Sequence, residues 1–332
     1  MNLLVAAGWT ALLTRSVKSE RRDLFSRAEG KHEMSELSVI ADYGDLCGEC
    51  PVWDGAGSLF WTDIAGRRFY RYHQSSGRHE IVREGLQING FRLNRPNGFV
   101  ITNAGGVWLW DGAGTVRLIT EEVDGSKLQL NDCIADPVGR LYAGTCFYDP
   151  NAEYDMGKLI RVDTDGKAAI VDEGFHMANG LGFSPDCSIL YFTDSGARCI
   201  YAYDYQIKTG EIGNRRVVVQ VPDTEGLPDG MTVDSEGFIW SAQWYGSCVV
   251  RYDPEGSIEQ RISIPAKQTS AIAFGGDDLA DIFITSAAKS ESLPIMPPGY
   301  DAEAGYFGGR LYHLNLGIKG KPEYRSAISV AA

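Results

Sequence analysis

From residue 35 onward the chain repeats one unit, and this repeat restricts its fold more than any other feature. Each copy contains a turn rich in Gly or Asp, then an apolar or aromatic strand, then a second strand with basic or aromatic residues. The copies begin at positions that lie 40, 42, 48, 50 and 41 residues apart, namely Asp54, Asn94, Asp136, Ser184, Asp234 and Gly275. A repeated β-unit of this length is typical of one propeller blade.

Six copies predict an all-β fold, a six-bladed β-propeller with four-stranded blades around a central channel. A pair of β-sandwiches or a β-helix would not explain the constant order of turn, strand and strand. Residues 35–332 are then a single domain, and Leu37 to Ala41 is expected to close the ring against the last blade.

Residues 1–34 precede the repeat and are predicted to be a dispensable N-terminal extension. The apolar run Leu3 to Leu13 is too short to span a bilayer, and Met34 is a plausible alternative start. A targeting role is the other interpretation, although neither a basic segment before the apolar run nor a clear cleavage site is present.

Charge and cysteine content indicate which kinds of ligand the protein can bind and in which cellular compartment it is expected. The net charge of −13 would repel nucleic acid, whereas cations and neutral small molecules fit this charge better. Seven cysteines without regular spacing indicate reduced thiols and a cytoplasmic protein, and the Cys47 to Cys50 pair is interpreted as two incidental thiols. No membrane association is expected, and the protein is expected to be a monomer or a weak homodimer.

One position of the repeat carries an oxygen-bearing side chain in every copy. It lies five residues before the start of each copy, and we call its members the ring residues: Glu49, Asn89, Asn131, Asn179, Asp229 and Ser270. The innermost strands of a propeller line its channel, so residues at one repeat position form a ring around it. Core packing does not require such side chains, because buried carboxylates are costly unless they are paired.

A shared ligand at one mouth of the channel would require them. Two carboxylates with amide oxygens suit one hard divalent cation such as Ca²⁺, Mg²⁺ or Mn²⁺, with Zn²⁺ as a further candidate. The channel is therefore predicted to bind metal. The alternative is that Asn and Asp only form turns before strands, but Glu49 has little turn preference and lies in the same register.

Several spaced motifs resemble the regucalcin, gluconolactonase and luciferin-regenerating enzyme family. They are Gly48-Glu49-Cys50-Pro51-Val52-Trp53, Asn131-Asp132, Ala143-Gly144-Thr145, Ala178-Asn179-Gly180-Leu181-Gly182-Phe183-Ser184 and Pro228-Asp229-Gly230-Met231. The match runs from about residue 44 to 324. The resemblance implies a six-bladed propeller that hydrolyses sugar lactones with a divalent cation held by Glu49, Asn179 and Asp229.

The same resemblance implies a substrate-binding role for Asn131. It places Asp149 near an acidic position of the family that contacts substrate, although the loop lengths differ. Gln129 stands where sugar-lactonase members often carry arginine, and glutamine can bind hydroxyl groups but brings no charge. Both differences concern the substrate more than the metal.

The expected activity is hydrolysis of an aldonolactone to its aldonic acid, with one divalent cation as cofactor. Asp229 would act both as metal ligand and as general base, while Gln129, Asn131 and Asp149 orient the sugar hydroxyls. His176 is the histidine nearest the ring in sequence. Two alternatives stay open: a metal-dependent aryl-ester or phosphotriester hydrolase, for which Trp244 and Tyr245 leave room, and a non-enzymatic calcium-binding propeller.

Overall fold

The computed structural model describes residues 36–146, 157–288, 295–301 and 303–329. This part of the chain contains 26 strands, and no helix is assigned within it. The strands pair antiparallel in four four-stranded sheets, one eight-stranded sheet and a two-stranded hairpin. The fold is therefore all-β, as the repeat predicted.

The four-stranded sheets follow one another along the chain, and we call them groups 1 to 4. Group 1 consists of β2 (Gly48–Trp53), β3 (Ser58–Asp63), β4 (Arg68–His73) and β5 (Arg78–Glu84). Group 2 consists of β6 (Gly90–Leu93), β7 (Phe99–Asn103), β8 (Gly106–Trp110) and β9 (Val116–Thr120). The hairpin of β10 (Glu122–Val123) and β11 (Ser126–Lys127) follows.

Group 3 consists of β12 (Leu130–Ala135), β13 (Leu141–Thr145), β14 (Gly157–Val162) and β15 (Ala168–Phe175). Group 4 consists of β16 (Ala178–Phe183), β17 (Ile189–Asp194), β18 (Cys199–Gln206) and β19 (Glu211–Gln220). In each group the order in the sheet is the order in the chain.

The eight-stranded sheet contains two further sets of four strands. Group 5 consists of β20 (Leu227–Val233), β21 (Ile239–Trp244), β22 (Cys248–Tyr252) and β23 (Ile258–Ser263). Group 6 consists of β24 (Gln268–Gly275), β25 (Asp281–Ala287), β26 (Arg310–Asn315) and β1 (Ser38–Asp42). A single residue pair, Trp244 with Gln268, connects the two sets. The pairing of β1 with β26 confirms that the segment before the first repeat joins the last group.

The first strands of successive groups contact one another. β2 contacts β6, and contacts continue through β12, β16, β20 and β24 back to β2. Burial decreases outward: every residue of β20 and β24 is buried, whereas the fourth strands β5 and β23 are exposed or half-buried throughout. The apolar core therefore lies between the groups, and the two strands recognised in each repeat are the second and third of its group.

Aspartates of the repeated turns hold the first and second strands together at one end. Asp54 Oδ1 accepts the backbone N–H groups of Ala56 and Ser58 at 2.7 and 2.9 Å. Asp234 Oδ1 accepts the equivalent turn amides at 2.9 and 3.0 Å. A short carboxylate that binds amides two and four residues later stabilises a tight turn, which explains why Asp recurs there.

Residues 319–329, which we call the C-terminal strap, cross this same end. The strap contacts turns of all six groups through hydrogen bonds that involve Asp54, Leu93, Gly139, Cys187, Ser235 and Leu279. The ring residues lie at the opposite end, where the first strands begin. The extension predicted for residues 1–34 lies outside the described residues.

Candidate metal and substrate site

The ring residues lie within the first strands or immediately before them. These strands begin within two residues of every predicted position. Asn131 Nδ2 donates to Asn179 Oδ1 at 2.7 Å, so the structure brings these two predicted residues into direct contact. Asn89, Asn131 and Ser270 each also donate to the backbone carbonyl just before the next ring residue, at 2.8, 3.0 and 2.5 Å. These hydrogen bonds hold the ring residues of neighbouring groups in register.

Glycine follows the ring residue in three groups because the first strands approach closely there. A Cβ on Gly180 would lie 2.3 Å from the backbone nitrogen of Met231, and a Cβ on Gly230 would lie 2.5 Å from the Cβ of Ala271. A Cβ on Gly90 would lie 2.7 Å from a backbone carbonyl oxygen. Larger residues at these positions would force neighbouring first strands apart, and the ring side chains on those strands would then lie farther from one another.

Two ring residues, Glu49 and Asp229, are carboxylates that repel each other. Burial raises the pKa of Glu49 to about 8, and the nearby charge of Asp132 contributes. Burial also raises the pKa of Asp229 well above its usual range, with repulsion from Glu49 and Asp132 as further causes. The backbone N–H of Cys50, which donates to Glu49 Oε2 at 3.1 Å, only partly offsets the effect on Glu49.

These residues fit a cation. Within the described residues, neither Glu49 nor Asp229 forms an ion pair with a basic side chain. The donors at this end of the first strands are carboxylate and amide oxygens, which hard divalent cations prefer. Among the described residues, no group of three His, Cys, Asp or Glu side chains is arranged to hold a metal ion. A set built on Glu49 and Asp229 therefore needs an amide oxygen such as that of Asn179.

Asp132 is a charged residue that the repeat register did not identify. Its Oδ1 accepts a hydrogen bond from the Cys50 thiol at 3.1 Å, and Arg92 Nη1 lies 4.0 Å from the same oxygen. Arg92 is 8% exposed, so its guanidinium group lies inside the protein. Asp132 directly follows a ring residue, and its sequence position alone carried no signal that it would face Glu49 and Asp229.

The other predicted residues lie in different settings. The side chain of Gln129 is exposed, while its backbone carbonyl accepts the N–H of Cys146 at 2.9 Å. Asp149 lies outside the described residues. The His176 side chain is 55% exposed, with Nδ1 3.5 Å from Asp194 Oδ2. Burial raises the pKa of the Cys146 thiol to about 12, and the charge of Asp229 contributes, which places this cysteine near the ring.

A cavity of about 360 Å³ opens beside the ring residues. Its lining includes Cys47, which precedes Glu49 by two residues, together with Arg67, Gln87 and Trp244. Gln87 Nε2 donates to Asn89 Oδ1 at 3.1 Å, which connects this lining to the ring. We call this space the mouth cavity. A larger cavity of about 700 Å³ is lined by the turn of group 1 and the C-terminal strap, at the end opposite the ring residues.

Comparison with known proteins identifies the family. Residues 47–288 match the family model described as the SMP-30/Gluconolactonase/LRE-like region. The chain belongs to this family. It is 36% identical over 297 residues to the pentonolactonase XacC of Haloferax volcanii, covering 88% of this chain and 98% of the relative.

Two further family members are similar over most of their length. The 6-deoxy-6-sulfogluconolactonase of Pseudomonas putida is 32% identical over 260 residues, covering 77% of this chain and 88% of that protein. The crystal structure of a calcium-binding protein, regucalcin, from Agrobacterium tumefaciens aligns with a TM-score of 0.75 and 28% identity. The alignment covers 86% of this chain and 96% of that one.

Within the described residues, no helix long and apolar enough to cross a membrane is present.

Proposed function

We propose that the six groups are the blades of a six-bladed β-propeller with four strands in each blade. The pairing order within the groups and the contacts from β2 through each first strand back to β2 support this proposal. The single pair between Trp244 and Gln268 is then a contact between adjacent blades. In such a propeller the ring residues surround one mouth of the central channel.

We further propose that the protein is a divalent-metal-dependent hydrolase of sugar lactones, with aldonolactones as the substrate class. The observation that carries this proposal is the pair of the half-buried Glu49 and the buried Asp229, whose pKa values are raised by burial and by nearby carboxylate charge; Asn179 lies at the same end of the first strands. The names of the pentonolactonase and sulfogluconolactonase relatives support the substrate class. Glu49, Asn179 and Asp229 are the proposed ligands of one cation, for which Ca²⁺, Mg²⁺, Mn²⁺ and Zn²⁺ are the candidates.

When bound, the cation supplies Lewis-acid polarisation of the ester carbonyl. Asp229 accepts a proton from the attacking water as the water oxygen bonds to the carbonyl carbon. The bond between that carbon and the ring oxygen then breaks, and the ring oxygen takes the proton that Asp229 accepted, which forms the new hydroxyl group and returns Asp229 to its carboxylate form. The product is the open-chain aldonic acid.

The remaining predicted residues orient the sugar. Asn131 is fixed by its hydrogen bonds to Asn179 and to the Ala178 carbonyl, so its carbonyl oxygen is held in one direction. The exposed side chain of Gln129 is free of such constraint within the described residues and is proposed to bind a sugar hydroxyl. Asp149 is proposed as a third contact. Fixed orientation of the substrate lowers the entropic part of the activation barrier.

A second candidate, hydrolysis of aryl esters or phosphotriesters, is favoured by Trp244 in the lining of the mouth cavity. An indole ring can pack against an aromatic leaving group. A non-enzymatic calcium-binding role is the third possibility, and the printed name of the regucalcin structure supports it. We also propose that the protein is cytoplasmic, because its seven cysteines lack the regular spacing of a secreted disulfide framework, and that it is a monomer or a weak homodimer.

The test is a substrate panel assayed on chelated protein with single cations added back. Pentono- and hexonolactones, 4-nitrophenyl acetate and a phosphotriester would be compared with Ca²⁺, Mg²⁺, Mn²⁺ or Zn²⁺ present. We expect cation-dependent opening of aldonolactones with kcat/KM at least about 100-fold above that for the aryl ester. Equal activity with and without chelator would refute the metal dependence, and cation binding without any turnover would favour the calcium-binding alternative.

A further inference from the structure

Asp63, at the end of β3, holds the segment that leads into Glu49. Its Oδ2 accepts the backbone N–H of Leu46 at 3.1 Å, and its Oδ1 accepts that of Cys47 at 3.0 Å. Arg68 Nη2 donates to the same carboxylate at 2.7 Å. Asp63 is fully buried and pairs in the sheet with Gly48, the residue just before Glu49. A buried carboxylate with several donors is a rigid anchor.

Asp194, at the end of β17, makes the same contacts before Asn179. Its Oδ2 accepts the N–H of His176 at 3.1 Å, and its Oδ1 accepts that of Met177 at 3.0 Å. These amides precede Asn179 by three and two residues, as the amides held by Asp63 precede Glu49. Asp194 is also fully buried and pairs with the residue just before Asn179.

In group 5, the residue that pairs with the position just before the ring residue is a glutamine and not an aspartate. Gln243 pairs with Pro228, the residue just before Asp229. Its Nε2 donates to Ser241 Oγ at 3.1 Å, and its buried Oε1 has no hydrogen-bond partner. The carboxylate anchor therefore occurs before Glu49 and Asn179 but not before Asp229.

We propose that Asp63 and Asp194 are positioning residues that fix the side chains of Glu49 and Asn179 for cation binding. This inference rests on the proposed function, because it assigns a role toward the proposed cation. Neither carboxylate needs to touch the cation or the substrate. Each acts by fixing the backbone two residues before a ligand, which determines where that ligand's oxygen atoms lie. Groups that orient ligands from outside the coordination sphere typically change metal affinity 10- to 100-fold when they are removed.

The test compares Asp63→Asn and Asp194→Asn with Asp136→Asn as a matched control. Asn places an N–H₂ group against backbone N–H donors, so it disrupts the anchor while preserving shape. Asp136 is equally buried and accepts three turn amides at 2.7 to 2.9 Å, but it lies at the strap end of group 3. Mn²⁺ affinity would be measured by titration calorimetry on each folded variant, with thermal melting as the stability readout.

We expect about 10- to 100-fold weaker Mn²⁺ binding in Asp63→Asn and Asp194→Asn. All three variants lower the melting temperature, while Asp136→Asn keeps wild-type affinity within about twofold because it lies far from the ring. Excess Mn²⁺ should restore kcat in the first two variants. Affinities equal to that of Asp136→Asn would overturn the positioning role. A wild-type protein that binds no cation would instead refute the proposed metal site.

Hydrogen exchange on the metal-free wild-type protein tests the same anchors if the variants do not fold. The amides of Leu46, Cys47, His176 and Met177 should exchange as slowly as those of the adjoining strands, because buried carboxylates hold them without any cation. Exchange at the rate of exposed loops would show that Asp63 and Asp194 do not fix these segments, and would overturn the inference.

Discussion

Glu49→Gln should stabilise the metal-free protein while weakening its affinity for the cation. Burial and the charge of Asp132 raise the pKa of Glu49 to about 8 in the folded state, from 4.5 as its ordinary value. The folded protein therefore holds a proton on Glu49 that the unfolded chain releases as pH rises above about 4.5. The free energy of unfolding of the wild type should therefore fall between about pH 4.5 and pH 8. Glutamine does not titrate, so Glu49→Gln removes this loss.

The shift fixes the size of the effect. Integrating the pKa difference up to pH 8 gives about 4 kcal/mol as an upper value for the cost of Glu49, and below about 1 kcal/mol at pH 5. Because the side chain is half-buried, we expect about 2 to 4 kcal/mol at pH 8, or roughly 4 to 12 °C in melting temperature. Gln keeps a carbonyl oxygen that can accept the Cys50 N–H, so no hydrogen bond needs to be lost.

The assay is thermal unfolding of chelated wild-type and Glu49→Gln protein at pH 5 and pH 8, repeated with saturating cation. Cation should stabilise the wild type more, since ligand binding to the folded state adds stability in proportion to its affinity. The exposed Glu84, substituted by Gln, is the matched control in the same group. A gap between Glu49→Gln and wild type that is absent at pH 8, or equal at both pH values, would refute the assigned electrostatics.

Three further outcomes are expected. Asp229→Asn should lower kcat at least about 10³-fold without rescue by excess cation, whereas Asn131→Ala should lower kcat/KM about 10- to 100-fold. Steady-state kinetics at saturating cation would measure both losses, and a larger loss for Asn131→Ala than for Asp229→Asn would contradict the assigned roles. Deletion of residues 1–33 should leave melting temperature and activity unchanged, and loss of soluble protein would contradict this. Truncation after Ile318 removes the C-terminal strap and should lower the melting temperature by at least about 5 °C, which scanning fluorimetry would measure.

The repeat made much of the fold and part of the site predictable from the sequence. Each group is a local unit whose polar or glycine-rich turn and apolar second strand are encoded within 40 to 50 residues. The starts of the first strands, and with them Glu49, Asn179 and Asp229, therefore follow from counting along the chain. The fourth strands carry weaker signals, because their mostly exposed side chains are under little packing constraint.

Residues outside the repeat register could not be placed in this way. Asp132 and Arg92 meet near Glu49 only because strands from groups 1, 2 and 3 converge, and nothing local to either residue indicates that contact. Asp63 and Asp194 are the last residues of strands whose sequences carry no distinguishing pattern. Their role depends on the backbone amides that donate to them, which the sequence does not show. Asp149 and residues 1–34 stay predictions.

The sequence by itself determined the number of repeated units and the oxygen-bearing side chain five residues before each one, because both are properties of a local, periodic pattern. Only the tertiary structure decided which of these side chains contact or repel one another, as Asn131 contacts Asn179 and Glu49 repels Asp229. The physical reason is that hydrogen bonding and charge repulsion depend on distances between residues 48 to 180 positions apart, which strand packing sets and sequence spacing does not.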